Sequence, residues 1–480
     1  MRTANFVRDV VAQLPSDYPA LIERKRHGGR VEHEAALLVD RARRLATTFS
    51  RFGVQRGDVV LTLIGNRVEW AETMLACFTA GYIVLPCSEQ LREHDLRQRF
   101  DVAWPTLIVS DERNRTVVEA AAPSCPVLLV PDRTLYDADP APYAELEPTD
   151  PCLLTMTSGT AGPPKAVLHG QRYLRGQRLQ AEHWLGAQPG DVVWCTAATG
   201  WSKSARNSFI AAWLRGATAV LHDARFDPDE RLAVAQEENV NVWCMAPTEY
   251  RVIAAQCDLR PLPGMQSLIA AGEPLDPSTL AAWQVATGLD IRDGYGQTET
   301  GQVTSNPVGA PVRPGSMGQP LPGVKAWVDD GELVLDPTTV PTFFLNYVGE
   351  PAPKGPWRTG DRVHQDGNGY LYFDARTDDV IISAGYRIGP YDVESILNEH
   401  SAVAECAVVG APDSERGQVV RAVVVLNQGY AASDALATAL QEHVKAQTAP
   451  YKYPRIVTFV DELPRTVTGK ISRSKLRGPS

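Results

Sequence analysis

Residues 153–169 read LLTMTSGTAGPPKAVLH. An apolar strand runs into Thr157-Ser158-Gly159-Thr160-Ala161-Gly162, then Lys165, then a second apolar strand. Small hydroxyl residues and glycines let a backbone come close to a phosphate, and a lysine adds a point charge. The spacing does not fit G-x-x-x-x-G-K-S/T, and a strand rather than a helix follows, so this is no Walker A loop. A second segment, Asp293-Gly294-Tyr295-Gly296-Gln297-Thr298-Glu299, has Glu299 where a dinucleotide fingerprint needs its third glycine. Instead it sets an aromatic face, a hydroxyl and a carboxylate side by side, which suits a purine, a phosphate oxygen and a Mg2+ ion. A third, Trp357-Arg358-Thr359-Gly360-Asp361, is expected to place a carboxylate on a glycine turn, where it can accept both hydroxyl donors of a ribose. A fourth, residues 373–394, gathers Arg376, Asp378, Asp379 and Arg387 around a linker, and a fifth, PRTVTGKI at 464–471, puts Lys470 on a glycine turn. No G-x-S-x-G and no Cys–His arrangement supplies an activated nucleophile. The nine histidines fall at no metal-ligand spacing.

These segments need a frame. Residues 32–52 carry apolar residues at helical spacing with charges between them. Apolar strand patterns follow at VVLTLIG, LIVSD (107–111) and VLLV (127–130), and helix-then-strand alternation returns at 192–222, 230–246 and 266–295. Such alternation implies parallel sheets covered by helices. After about residue 310 the texture changes: KAWVDD-GELVL and QDGNGYLYF read as hairpins. Past RTDDVII comes a helix (VESILNEH), two strands (ECAVVGAP, VVRAVVVL), a second helix and a last strand (RIVTFV). The expected fold is α/β. A large N-terminal region of helix-covered sheets (1–377) includes a β-rich subdomain at about 325–375, and a small α+β domain (379–480) hangs on a hinge at 378.

The 480 residues exceed what one core holds, since cores rarely grow past ~250–300 residues. A net charge of -10 disfavours nucleic-acid binding, which needs a basic footprint. The eight cysteines make no C-x-x-C pair and several sit in apolar runs, as buried thiols of a reducing compartment do. The N-terminus lacks an apolar signal core, and no stretch approaches the ~20 apolar residues of a membrane span. A cytoplasmic protein is expected.

In this order the five segments resemble the adenylate-forming (AMP-binding) enzyme superfamily, over nearly the whole chain. TGW (199–201), APT (246–248), AAGEPL (270–275), SAGYRIGPYDVES (383–395) and APYKYPR (449–455) look most like medium-chain acyl-CoA synthetases. The resemblance implies ATP, Mg2+ and coenzyme A. The Thr157–Lys165 loop would hold the β- and γ-phosphates. Gly272, Glu273 and Pro274 with Asp293, Gly294 and Tyr295 would sandwich the adenine, followed by Gly296 and Gln297. Thr298 would contact the α-phosphate, Glu299 would bind Mg2+, and Asp361 and Arg376 would hold the ribose. Lys470 would reach the α-phosphate and the acid's carboxylate. Rotation about Asp378 would then exchange Lys470 for the 383–387 loop (Ser383, Ala384, Gly385, Tyr386, Arg387). Arg421 and Lys452 would meet the phosphates of CoA. Trp201, Ser204, Pro247, Thr248 and Arg251 would line the acyl pocket. Ala375 stands where the family has glycine before its motif arginine.

The implied reaction joins a hydrophobic carboxylic acid to AMP, releases pyrophosphate, and passes the acyl group to CoA. A carboxylate attacking phosphorus needs no proton removed, so the missing nucleophile–base pair is expected. Two alternatives stand: transfer to the thiol of a separate carrier protein, and a non-catalytic nucleotide-binding protein. A homodimer is the base-rate expectation for assembly.

Overall fold

The computed structural model describes residues 4–157, 165–273, 275–377, 379–383, 386–413, 416–448, 450–466 and 470–477; at 386, 387, 417 and 450 it describes the backbone alone. The chain forms two compact units. The first comprises the residues up to Thr157, Lys165–Lys325 and Asp336–Gly355; the second comprises Ala326–Leu335 and the chain from Pro356. The β-rich strands thus fall in the second unit. Asp378, the expected hinge, lies outside the described residues.

In the first unit one run of strands is ordered Ser316–Pro320, Gly301–Ser305, Ile291–Gln297, Ser267–Ala271, Val242–Met245, Val192–Cys195, Thr218–His222, Pro19–Arg24, Arg30–Glu34. From Ile291–Gln297 to Pro19–Arg24 every pairing is parallel. A seven-stranded sheet is ordered Asn346–Tyr347, Ala166–Gly170, Pro151–Met156, Ile83–Pro86, Val59–Leu63, Leu107–Asp111, Val127–Val130. Helix Val68–Ala80 is buried along nearly its whole length, from Val68 to Thr79. Its two glutamates are buried with partners, Glu69 with Arg67 and Glu72 with Arg41 and Tyr136, and Trp70 packs edge-on against Phe209 at 5.1 Å. Helices Pro228–Glu237 and Pro277–Thr287 start alike: an aspartate (Asp227, Asp276) accepts from a first-turn N–H, and a proline follows.

The parallel strands set the site. Val192–Cys195, Val242–Met245, Ser267–Ala271 and Ile291–Gln297 are neighbours, and the residues just past their C-terminal ends begin the TGW, APT, AGE and TE segments. Ligands of open parallel sheets bind at those ends.

In the second unit four antiparallel strands are ordered Ala326–Asp329, Glu332–Leu335, Trp357–Gln365, Leu371–Arg376. Both expected hairpins are present. The expected glycine turn at 357–361 is instead strand, with Gly360 at φ +71° as a local irregularity. A second sheet pairs Val403–Asp413, Gly417–Leu426, Ile381–Ser383 and Tyr386–Ile388, with Ile456–Phe459 parallel to Gly417–Leu426. Helices Pro390–Asn398 and Asp434–Gln447 cover it, burying Val393, Leu397, Leu440 and Val444 against Val408, Val420 and Val424. Among the described residues no helix is long and apolar enough to cross a membrane. The eight cysteines are free, and six are buried.

Candidate active site

Strand Pro151–Met156 returns antiparallel as Ala166–Gly170, closed by Thr157 N–H to Lys165 O at 2.9 Å and Lys165 N–H to Thr157 Oγ1 at 3.0 Å. Thr157 and Lys165 are therefore the stems of the phosphate-loop segment; Ser158, Gly159, Thr160, Ala161 and Gly162 lie outside the described residues. The Lys165 ammonium meets Glu350 at 2.9 Å and sits 4.6 Å from the centre of the Tyr347 ring. The Tyr347 hydroxyl donates to Glu299 Oε1 at 2.8 Å. One tyrosine thus links the phosphate-loop lysine to the carboxylate assigned to Mg2+. Strand Asn346–Tyr347 is held on Ala166–Gly170, and Phe343 and Phe344 pack before it. Sequence reasoning missed Tyr347 and Glu350, because FFLNYVGE has neither motif nor periodicity.

Thr298 and Glu299 form the turn after strand Ile291–Gln297. Thr300, fully buried, braces it: its Oγ1 accepts from Gln297 N–H at 3.0 Å, and Glu299 O accepts from Phe344 N–H at 2.8 Å. The glycines before it are there for packing. A Cβ on Gly296 would lie 1.9 Å from Gly301 O, and one on Gly294 would lie 2.3 Å from Gln302 Nε2. Asp293 accepts from Gly294 N–H at 2.8 Å. Burial pushes its carboxyl up to about 8, against the pull of that N–H and of the Lys203 ammonium. Asp293 is therefore mostly a neutral acid at pH 7, able to donate as well as accept. Tyr295 and Gln297 lie half-buried on the same strand.

Gly272 has φ +103° and turns the chain at the end of Ser267–Ala271. Glu273 accepts from Thr248 Oγ1 at 2.8 Å, so an adenine-segment residue and an acyl-segment residue touch. Pro274 lies outside the described residues. Pro247 opens helix Pro247–Gln256, and Arg251 on that helix binds Asp276 at 3.2 Å. Trp201 is half-buried with the Lys203 ammonium 5.1 Å from its ring centre, and Ser204 donates its hydroxyl to Trp201 O at 2.7 Å.

In the second unit Asp361 and Arg376 are register partners on neighbouring strands, joined Nη1 to Oδ1 at 3.0 Å. Lys470 lies where Thr466 N–H reaches Lys470 O at 2.7 Å and Arg465 bridges Ile471. Ser383 pairs with Tyr386 and Gly417. Ala384 and Gly385, and the side chains of Tyr386 and Arg387, lie outside the description. Lys452 is bound to Asp392 at 2.6 Å, and Arg421 Nε donates to Thr458 Oγ1 at 3.3 Å. Asp379, beside the expected hinge, pairs with Arg477, and Arg473 binds Glu394 at 2.7 Å.

For Mg2+ the donor set fits. Tyr347 engages one Glu299 oxygen and leaves the other for a cation, and Mg2+ takes one or two carboxylates with substrate phosphates and water. Among the described residues no group of three or more acidic, histidine or cysteine side chains could hold a metal unaided.

The model of the AMP-binding enzyme family matches residues 7–342, and that of the AMP-binding enzyme C-terminal domain matches residues 392–470. The chain belongs to the AMP-binding enzyme family. It is 35% identical to the mitochondrial acyl-coenzyme A synthetase ACSM3 of Homo sapiens, over 98% of this chain and 89% of that one. It is also 35% identical to an uncharacterized acyl–CoA ligase, YtcI, of Bacillus subtilis, over 92% and 89%. The ATP-bound crystal structure of MatB from Rhodopseudomonas palustris superposes with a TM-score of 0.89 at 27% identity, over 99% of this chain and 98% of that one. The class is that of the AMP-forming acid–CoA ligases, which use ATP, Mg2+ and coenzyme A.

Proposed function

We propose that this protein activates a hydrophobic carboxylic acid as its acyl-adenylate and transfers the acyl group to CoA. The Lys165–Tyr347–Glu299 linkage carries the reading, because it sets a cation and a metal-binding carboxylate on the two sides of one ring. Thr157 to Lys165 cradle the β- and γ-phosphates, and Thr298 donates to the α-phosphate. Glu299 would hold Mg2+, which would neutralise phosphate charge. Gly272 to Pro274 and Asp293 to Gln297 hold the adenine, with Asp293 as a neutral acid facing its polar edge. Arg376 Nη1 holds Asp361 Oδ1 at 3.0 Å, and the Asp361 carboxylate accepts from the ribose hydroxyls. Trp201, Ser204, Pro247, Thr248 and Arg251 surround the acid, and the Thr248–Glu273 bond fixes the acyl segment to the adenine segment. Positioning and charge neutralisation do the catalytic work.

Lys470 supplies the cation for adenylation and leaves as the small domain, residues 379–480, turns about Asp378. Ser383, Ala384, Gly385, Tyr386 and Arg387 then form the pantetheine channel, with Arg421 and Lys452 on the CoA phosphates. Lys452 must exchange Asp392 for phosphate to do so. Eight free thiols support a reducing compartment, which we take to be the cytoplasm, and a homodimer is the assembly to look for by light scattering.

The test is pyrophosphate release with a panel of acids, each with and without CoA. Acid-dependent release with a CoA ester in the mass spectrum is the expected result. An acyl-AMP that never becomes a CoA ester gives the acceptor role to a carrier-protein thiol, and ATP binding with no release would refute the enzyme.

A further inference from the structure

The segment after Trp201 carries two buried cations three residues apart. Lys203 is 9% exposed and donates to Ala271 O at 2.9 Å. Arg206 is 5% exposed, and its Nε and Nη1 have no hydrogen-bond partner. Among the described residues neither has a carboxylate within 4 Å. Arg206 lies beside the residue that follows the Thr298–Thr300 turn: a Cβ built on Gly301 would lie 3.5 Å from its Nη1. Its neighbourhood is polar. The Tyr173 hydroxyl faces the Arg206 guanidinium and the Gln177 amide, and all three are buried. His169 is held near 3, and so neutral, by burial and the Arg206 and Arg172 charges, against the pull of a hydrogen bond with the Thr298 backbone.

A desolvated guanidinium without an acid is unfavourable, and a purely apolar acyl pocket gives it nothing to bind. The carboxylates nearby are engaged: Glu249 with Thr196 and Arg231, and Asp293 as a largely neutral acid. A guanidinium matches a carboxylate with two parallel N–H···O bonds.

We propose that Arg206 is a specificity-determining residue that pairs with a second carboxylate on the substrate, so that the preferred acids are dicarboxylic acids with an apolar spacer. This rests on the proposed acyl pocket, since Arg206 lies two residues beyond Ser204. One carboxylate reacts with ATP at the Thr298–Glu299 turn, and the other is held by Arg206.

The experiment compares matched acids: hexanoate with hexanedioate, octanoate with octanedioate, and benzoate with benzene-1,3-dicarboxylate. ATP–pyrophosphate exchange and CoA-ester formation are measured for the natural protein, Arg206→Leu and Arg206→Lys, with thermal unfolding and ATP binding as checks on integrity. The natural protein should favour the dicarboxylate of one spacer length by about tenfold or more in kcat/KM. Arg206→Leu should lose about 10²-fold on that acid and stay within about threefold on its plain partner, with Arg206→Lys between. Preference for the plain acid at every length would overturn the assignment and leave the cluster to internal water. An equal loss on both acids in Arg206→Leu would reduce Arg206 to packing. If Arg206→Leu does not fold, the natural protein and Arg206→Lys decide. Exchange with plain acids alone refutes only the role of Arg206, whereas exchange with no acid at all refutes the synthetase reading beneath it.

Discussion

Replacing Tyr347 by phenylalanine separates two contacts that one ring makes. The ring stays, and with it the Lys165 ammonium 4.6 Å from its centre; the hydroxyl's 2.8 Å bond to Glu299 is lost. A hydrogen bond to a charged group contributes ~1.5–3 kcal/mol. Both partners are half-buried, so the lower end applies: ~1.5 kcal/mol, or about tenfold. The loss should fall on use of Mg·ATP, because the freed carboxylate no longer presents one oxygen at a set angle. Exchange kinetics across a Mg2+ titration should show an apparent KM for Mg·ATP raised about tenfold, with the KM of the acid unmoved. Tyr347→Ala also removes the cation–π contact, ~0.5–1 kcal/mol at an exposed lysine, and should cost a further two- to fivefold or so. The reasoning fails if Tyr347→Phe matches the natural protein at every Mg2+ concentration while Tyr347→Ala does not, since the hydroxyl would then contribute nothing.

Lys470→Ala should lower adenylation about 10²–10³-fold while sparing thioester formation from a presynthesised acyl-adenylate; equal losses in both half-reactions would refute the rotation. Asp293 has a folded-state pKa of about 8 against an ordinary 3.8, so between those values the folded protein holds a proton the unfolded chain has lost. Its contribution to stability is complete below the unfolded value and drains away as pH rises toward 8. Asp293→Asn should therefore flatten the fall in Tm of the ligand-free protein over that window, and an unchanged slope counts against the assignment. Gly296→Ala, with its Cβ 1.9 Å from a backbone oxygen, should destabilise by ~1–3 kcal/mol or more in denaturant titration.

The sequence exposed what repeats locally. The four apolar runs that end in TGW, APT, AGE and TE were readable as parallel strands, and so was the succession of elements after residue 380. The long helix began three residues later than its spacing implied, at Ala35, because Arg30–Glu34 alternates and pairs with Pro19–Arg24. WRTGD looked like a turn because of its glycine, yet pairing with Leu371–Arg376 overrides that preference and places Asp361 opposite Arg376. Lys165 and Glu350 stand 185 residues apart, and no one-dimensional pattern joins them. The same holds for Thr248 and Glu273, and for Tyr173, Gln177 and His169 around Arg206, which meet only in space.

The four neighbouring parallel strands have an evolutionary consequence. The residues proposed to hold the nucleotide follow Ser267–Ala271 and Ile291–Gln297, whereas those proposed to hold the acid follow Val192–Cys195 and Val242–Met245. Changes after the second pair leave the first pair's backbone in place. The appetite of such an enzyme can therefore drift by exchange of two short inserts, while its fuel handling is inherited unaltered.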